Sequence, residues 1–166
     1  MASKASFTAD EWNEVLGGVL MAGFAVTAAD PSGLWGLLKE TFASGRALME
    51  AKSSPNASEL SKAVVSDMEG SEGRSAVQEF VKGRLRGAKR DEIKQRAIDS
   101  LRSAAAIVDQ KAPSEAAAYK AWLLLIAKNV AEASKEGGFL GFGGVAVSAA
   151  EKATLAEIAA ALGTRV

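Results

Sequence analysis

A helix that is apolar around most of its circumference belongs at the centre of a bundle, and this chain opens with one. Thr8-Ala9-Asp10-Glu11 has the spacing of a capping box, with threonine at the N-cap and glutamate three residues on. The residues that follow, Trp12, Val15, Leu16, Val19, Leu20, Phe24 and Val26, spread around the helix instead of along one stripe. The spacing predicts a helix to about Ala29 that needs neighbours on several sides. Gly17, Gly18 and Gly23 each weaken it by about 1 kcal/mol relative to alanine, a cost best offset where another backbone approaches closely. A second segment of this kind starts at Ser114-Glu115 and runs to about Lys135. Tyr119, Trp122, Leu123, Ile126 and Val130 form its core face, and Leu124 and Leu125 widen it.

Amphipathic helices fill the rest of the chain. After Asp30-Pro31-Ser32-Gly33, the residues Leu34, Trp35, Leu37, Leu38, Phe42, Leu48 and Met49 have helical spacing. Asn56, with Glu59 three residues later, signals a cap for a helix carrying Leu60, Val64, Val65 and Met68, which Gly70 stops. Val77, Phe80, Val81 and Leu85 mark a short helix closed by Gly87. Asp91 to Gln110 carries one stripe of Ile93, Ala97, Ile98, Leu101, Ala105 and Val108, and Pro113 ends that element. Ser148-Ala149-Ala150-Glu151 repeats the capping-box spacing ahead of Leu155, Ile158, Ala159 and Leu162, with Gly163 as the stop. Val145 to Val147 alternates too briefly for a strand. The expectation is an all-α fold: a single compact globular bundle of about seven helices, with the first and sixth largely buried at its centre. One domain spans 1–166, and residues 1–7 form a flexible N-terminal segment.

Composition restricts the chemistry. The sequence has no histidine and no cysteine, which removes the side chains most used for proton transfer near neutral pH and for thiolate or transition-metal chemistry. No nucleophile, base and orienting group can be named together, so the expectation is a protein that is not an enzyme and has no cofactor or metal site. Lys+Arg and Asp+Glu number 20 each, giving no global field towards nucleic acid or an anionic membrane. Val15 to Ala29 has the length of a signal-peptide core, but Asp10, Glu11 and Glu14 stand where a signal carries positive charge. Neither this run nor Trp122 to Val130 reaches the ~20 apolar residues of a membrane span. A bacterial cytoplasmic location is expected.

Two local features stand out. Gly137-Gly138-Phe139-Leu140-Gly141-Phe142-Gly143-Gly144 is a glycine-aromatic loop without the Gly-Lys-Ser/Thr ending of a phosphate-binding turn. Its apolar residues either tuck into the bundle or form a contact for a partner or small molecule. A cavity between the central helices and this loop would bring Trp12 and Trp122 towards Phe139 and Phe142, with Leu140, Gly143 and Gly144 beside them. The second feature is a run of positive charge, Lys82, Arg84, Arg86, Lys89, Arg90, Lys94 and Arg96, preceded by the acidic Asp67, Glu69, Glu72 and Glu79. Arg84, Arg86, Lys89 and Arg90 make a candidate face for an acidic partner. Few aromatics accompany them, so nucleic acid is not expected. The carboxylates, among them Glu40, Glu50, Glu132 and Glu136, read as surface charge.

The two ends of the chain share a pattern. Val26-Thr27-Ala28-Ala29-Asp30 closes one apolar helix and Val130-Ala131-Glu132-Ala133-Ser134 another, each followed by a connection and a further helix. This arrangement resembles the tellurite-resistance TerB-like family of all-α bacterial proteins, which pairs helices in this way around acidic Asp-Gly turns implicated in divalent metal binding. Asp30 matches the first turn, with Pro31-Ser32 intervening before Gly33. Ser134-Lys135-Glu136-Gly137-Gly138 lacks the second aspartate, so the resemblance implies a fold and no ligand set. The leading expectation is an adaptor or stress-associated accessory factor acting through protein contacts or self-association. The alternative is small-molecule or hard-metal-ion binding in an interhelical pocket.

Overall fold

The computed structural model describes residues 2–29, 52–53, 57–136 and 147–165, with the backbone alone for 133–136. Regular structure among the described residues is helical throughout, as the periodicity requires, and contains no strand. A 3-10 turn at Lys4–Ser6 precedes α1 (Ala9–Ala29), α2 (Glu59–Glu69), α3 (Ser71–Leu85), α4 (Arg90–Lys111), α5 (Pro113–Glu136) and α6 (Ala149–Leu162). These are six α-helices among the described residues, against an expectation of about seven for the whole chain. The helix anticipated from Leu34 to Met49 lies outside the described residues.

Local chemistry sets the boundaries. Thr8 N–H donates to Glu11 Oε2 at 2.8 Å and Glu11 N–H to Thr8 Oγ1 at 3.2 Å, so both halves of the first capping box form. Ser148 and Glu151 repeat it at 2.8 and 3.2 Å. Ser58 caps α2 by accepting from Ser61 N–H at 3.0 Å, two residues beyond the Asn56 that the sequence suggested. Gly163 stops α6 in the left-handed conformation, φ 67°, while Thr164 N–H reaches back to Ala159 C=O at 2.9 Å. A single residue, Gly70, joins α2 to α3. Pro113 opens α5 directly after Ala112, using the first helical position, where a missing N–H does no harm.

Helix α1 touches every one of the other five, and its broadest contact is with α4. Trp12, Val15, Leu16, Val19, Met21, Ala22, Ala25 and Val26 are all buried, as a helix apolar around most of its circumference demands. By length and composition α1 is also apolar enough to cross a bilayer, contrary to the reading of Val15 to Ala29 as too short, but most of that stretch is buried within the bundle. In α5, Tyr119, Leu123, Ile126, Ala127 and Ala131 lie inside. Leu124 is buried with them, whereas Leu125 is 53% exposed and does not widen the core face. At 100° per residue, Leu125 turns away from the side that α1 and α4 cover.

Candidate functional site

The glycines of α1 determine what can approach it. A Cβ at Gly17 would lie 2.2 Å from Phe80 Cε1, so the ring of α3 rests directly on the α1 backbone. A Cβ at Gly18 would meet Tyr119 Oη at 2.8 Å and Ala104 Cβ at 3.5 Å. The expected close approach is therefore made by aromatic side chains, where the sequence suggested another backbone. Tyr119 uses it to donate to Val15 C=O at 2.7 Å. Burial without a charged partner pushes the Tyr119 phenol far above its ordinary range, so it remains a donor.

Beside Phe80 lies the one acid of α1 that is taken out of solvent. Glu14 is 9% exposed, pairs with Arg84 of α3 and accepts from Ser100 Oγ of α4 at 3.2 Å. The Arg84 guanidinium also stands 5.3 Å from the Phe80 ring centre, so one arginine joins the ion pair and the aromatic face. Asp10, Glu11, Asn13 and Glu14 of α1, Phe80 and Arg84 of α3 and Ile107 of α4 line an open cleft of about 330 Å³. At its mouth Glu11 sits 3.3 Å from Lys111. Its carboxyl is held below the ordinary value chiefly by the Thr8 backbone N–H, with Lys111 adding to the effect.

The basic run divides on folding. Lys82 lies 3.7 Å from Glu79, Lys94 2.9 Å from Glu157, and Arg84 turns to Glu14. Arg96 donates to the carbonyls of Arg84 at 3.2 Å and Arg86 at 3.0 Å, satisfying the C-terminal end of α3. Arg86 and Lys89 lie exposed on the connection from α3 to α4, which reverses at Gly87 with φ 68°, and Arg90 lies exposed as the first residue of α4. Arg86, Lys89 and Arg90 of the candidate face thus cluster where α3 gives way to α4, and Arg84, also exposed, pairs with Glu14.

Other expected site residues occupy different places. Trp12 is 2% exposed, packs against Phe7 with ring centres 5.4 Å apart, and donates through Nε1 to Asp67 Oδ2 at 2.7 Å. Trp122 is 8% exposed and meets Tyr119 edge-on at 6.2 Å. Neither tryptophan lines the cleft. Phe139, Leu140, Phe142, Gly143 and Gly144 lie outside the described residues. The first residues carry attachments of their own: Ala2 N–H donates to Glu115 Oε1 at 2.6 Å, and Lys4 approaches Asp67 at 3.1 Å. The second oxygen of Glu115 accepts from Leu60 N–H at 2.6 Å, binding the start of α2 to the start of α5.

Sequence reasoning named Glu14, Phe80, Asp67 and Glu115 but gave none of them a place in a site. For Glu14 no local signal was available, because Asp10 and Glu11 beside it keep access to solvent and only the packing of α3 and α4 buries it. Among the described residues, every buried side-chain nitrogen and oxygen has a hydrogen-bond partner, and no three acidic groups converge as a metal site. Fold and site together define an all-α bundle with a cleft and a basic turn at one edge. Compared with known proteins, the chain matches no family model, no curated protein and no solved structure.

Proposed function

We propose that this chain works through protein contacts, as an adaptor or accessory factor without a catalytic role, and that its contact surface is the basic turn from α3 to α4. The observation that carries this reading is the exposure of Arg86, Lys89 and Arg90 within five residues where α3 gives way to α4, in a chain whose net charge is zero. Such a local patch selects an acidic segment by charge while leaving the rest of the surface neutral in its preference. Its partner is a peptide or protein surface rich in Asp and Glu.

The test uses a fluorescently labelled oligoglutamate peptide as the probe. The wild-type protein binds it with an affinity that falls as salt rises, and the triple variant Arg86→Glu, Lys89→Glu, Arg90→Glu loses at least about tenfold while its helical circular dichroism is unchanged. Equal binding by wild type and variant, or none by either, overturns the reading.

A second reading, a small molecule held between helices, is favoured by the cleft and its exposed Asp10. A lining that combines Phe80 and Ile107 with carboxylates suits an organic cation better than a metal ion. Native mass spectrometry of freshly purified protein separates the two readings: a defined retained mass supports the ligand, and a bare chain supports the protein contact.

A further inference from the structure

Helix α3 has the seating of a movable part. Of its 15 residues only Gly73 and Val77 are buried, whereas α1 is buried over most of its length and α5 places Tyr119, Leu123, Ile126 and Ala127 among others in the core. Phe80, Val81 and Leu85 are only partly covered. The helix begins immediately after the single-residue joint Gly70 and is followed by Gly87, whose positive φ places the reversal on a residue without a side chain. Its contact with α4 is slight, so α1 and α2 carry it. On the α1 side the attachment includes the Phe80 ring over Gly17 and the Arg84 ion pair with Glu14. The cleft of about 330 Å³ runs along this seam, with Phe80 and Arg84 on one side and Asp10, Asn13 and Glu14 on the other.

We propose that α3 is a hinged helix that lifts from the bundle as a unit on Gly70 and Gly87, freeing Phe80 from the Gly17 notch and Arg84 from Glu14. The small buried area of α3 makes this the opening of lowest free energy among the helices α1 and α3 to α5, since local opening scales with the contacts it breaks. Lifting bares the Glu14 carboxylate and an aromatic-sized notch at Gly17. Ser100 keeps one hydrogen bond to Glu14 in that state, which lowers the cost of parting from Arg84. The inference rests on packing alone and holds whatever partner the basic turn meets.

Native-state hydrogen exchange of the full chain, followed by mass spectrometry in sub-denaturing urea, tests it. Detached from the bundle, a 15-residue helix is marginal in water, so amides across residues 76–85 should exchange at least about a hundredfold faster than those of α5, through an opening with a smaller urea dependence than global unfolding. Arg84→Met should speed exchange in α3 about tenfold and leave α5 unchanged, and Gly17→Ala, which displaces the Phe80 ring, should do the same. Retained helical circular dichroism confirms that both variants are folded. Exchange of α3 and α5 through one common opening in the wild type, or equal acceleration of both by either folded variant, overturns the proposal.

Discussion

Adjacent glycines of α1 receive aromatic rings from two different helices, and the outcomes are opposite. Tyr119 reaches Gly18 from α5, is fully buried and hydrogen-bonds the α1 backbone, while Phe80 reaches Gly17 from α3, stays partly exposed and is flanked by an arginine. The same steric device therefore serves a permanent contact and a seam. The surrounding helix makes the difference: Tyr119 is one of a row with Leu123, Ile126 and Val130, but Phe80 has only Val77 fully buried beside it on its own helix. A notch fixes where a ring sits, and the neighbouring apolar area fixes how firmly it stays.

Truncating each ring is the strongest challenge to this contrast. Tyr119→Ala should cost about 4 kcal/mol in urea unfolding, the range for deleting a fully buried aromatic, and Phe80→Ala about 1–2 kcal/mol. Equal losses would erase the distinction. The notches should separate next. Gly18→Ala forces a Cβ against an immovable hydroxyl and should destabilise by about 1–3 kcal/mol. Gly17→Ala should be nearly neutral overall, because the alanine gains about 1 kcal/mol of helix propensity as Phe80 swings out.

The buried phenol sharpens the comparison further. Tyr119→Phe should lose about 1 kcal/mol, the net value of one hydrogen bond. Tyr119 is the sole tyrosine, so alkaline absorbance reports on it alone. Its folded-state pKa is raised above the ordinary 10.0, so the protonated phenol contributes stability that is complete below that pH and is lost as pH rises above it. Tyrosinate absorbance should appear only together with unfolding. A phenolate titrating near 10 in the folded protein would contradict the burial.

The smallest effect belongs to the cleft mouth. Glu11 has a lowered carboxyl pKa, so its contribution is present above the ordinary 4.5 and fades as pH falls through the lower folded value. Glu11→Gln should flatten the acid end of the stability profile and leave the neutral end little changed. An unaltered acid limb would show that the Thr8 and Lys111 contacts do not act on folding.

Much of the fold was legible because helix ends are written locally. Thr8 with Glu11, Ser148 with Glu151, and Gly70 and Gly163 act within a few residues of themselves, and each was read correctly. Ser58 was missed since Asn56 offered the same chemistry two residues earlier. Leu125 was read as core because periodicity finds a face but cannot tell how wide a neighbour will cover it. The candidate site was far less legible. Arg84 looked like one more charge in a basic run, and only the approach of α3 to α1 turned it towards Glu14.

What the sequence by itself determined was the all-α class and the central position of α1. Capping pairs and helical periodicity are short-range properties of the chain, and a helix apolar around most of its circumference has to be covered on several sides. The tertiary structure alone decided the partnerships: Tyr119 with Val15, 104 residues apart, and Ser100 with Glu14, 86 apart. Those contacts depend on how helices cross and which notch each ring enters, and no local propensity encodes a pairing between residues so distant in the chain.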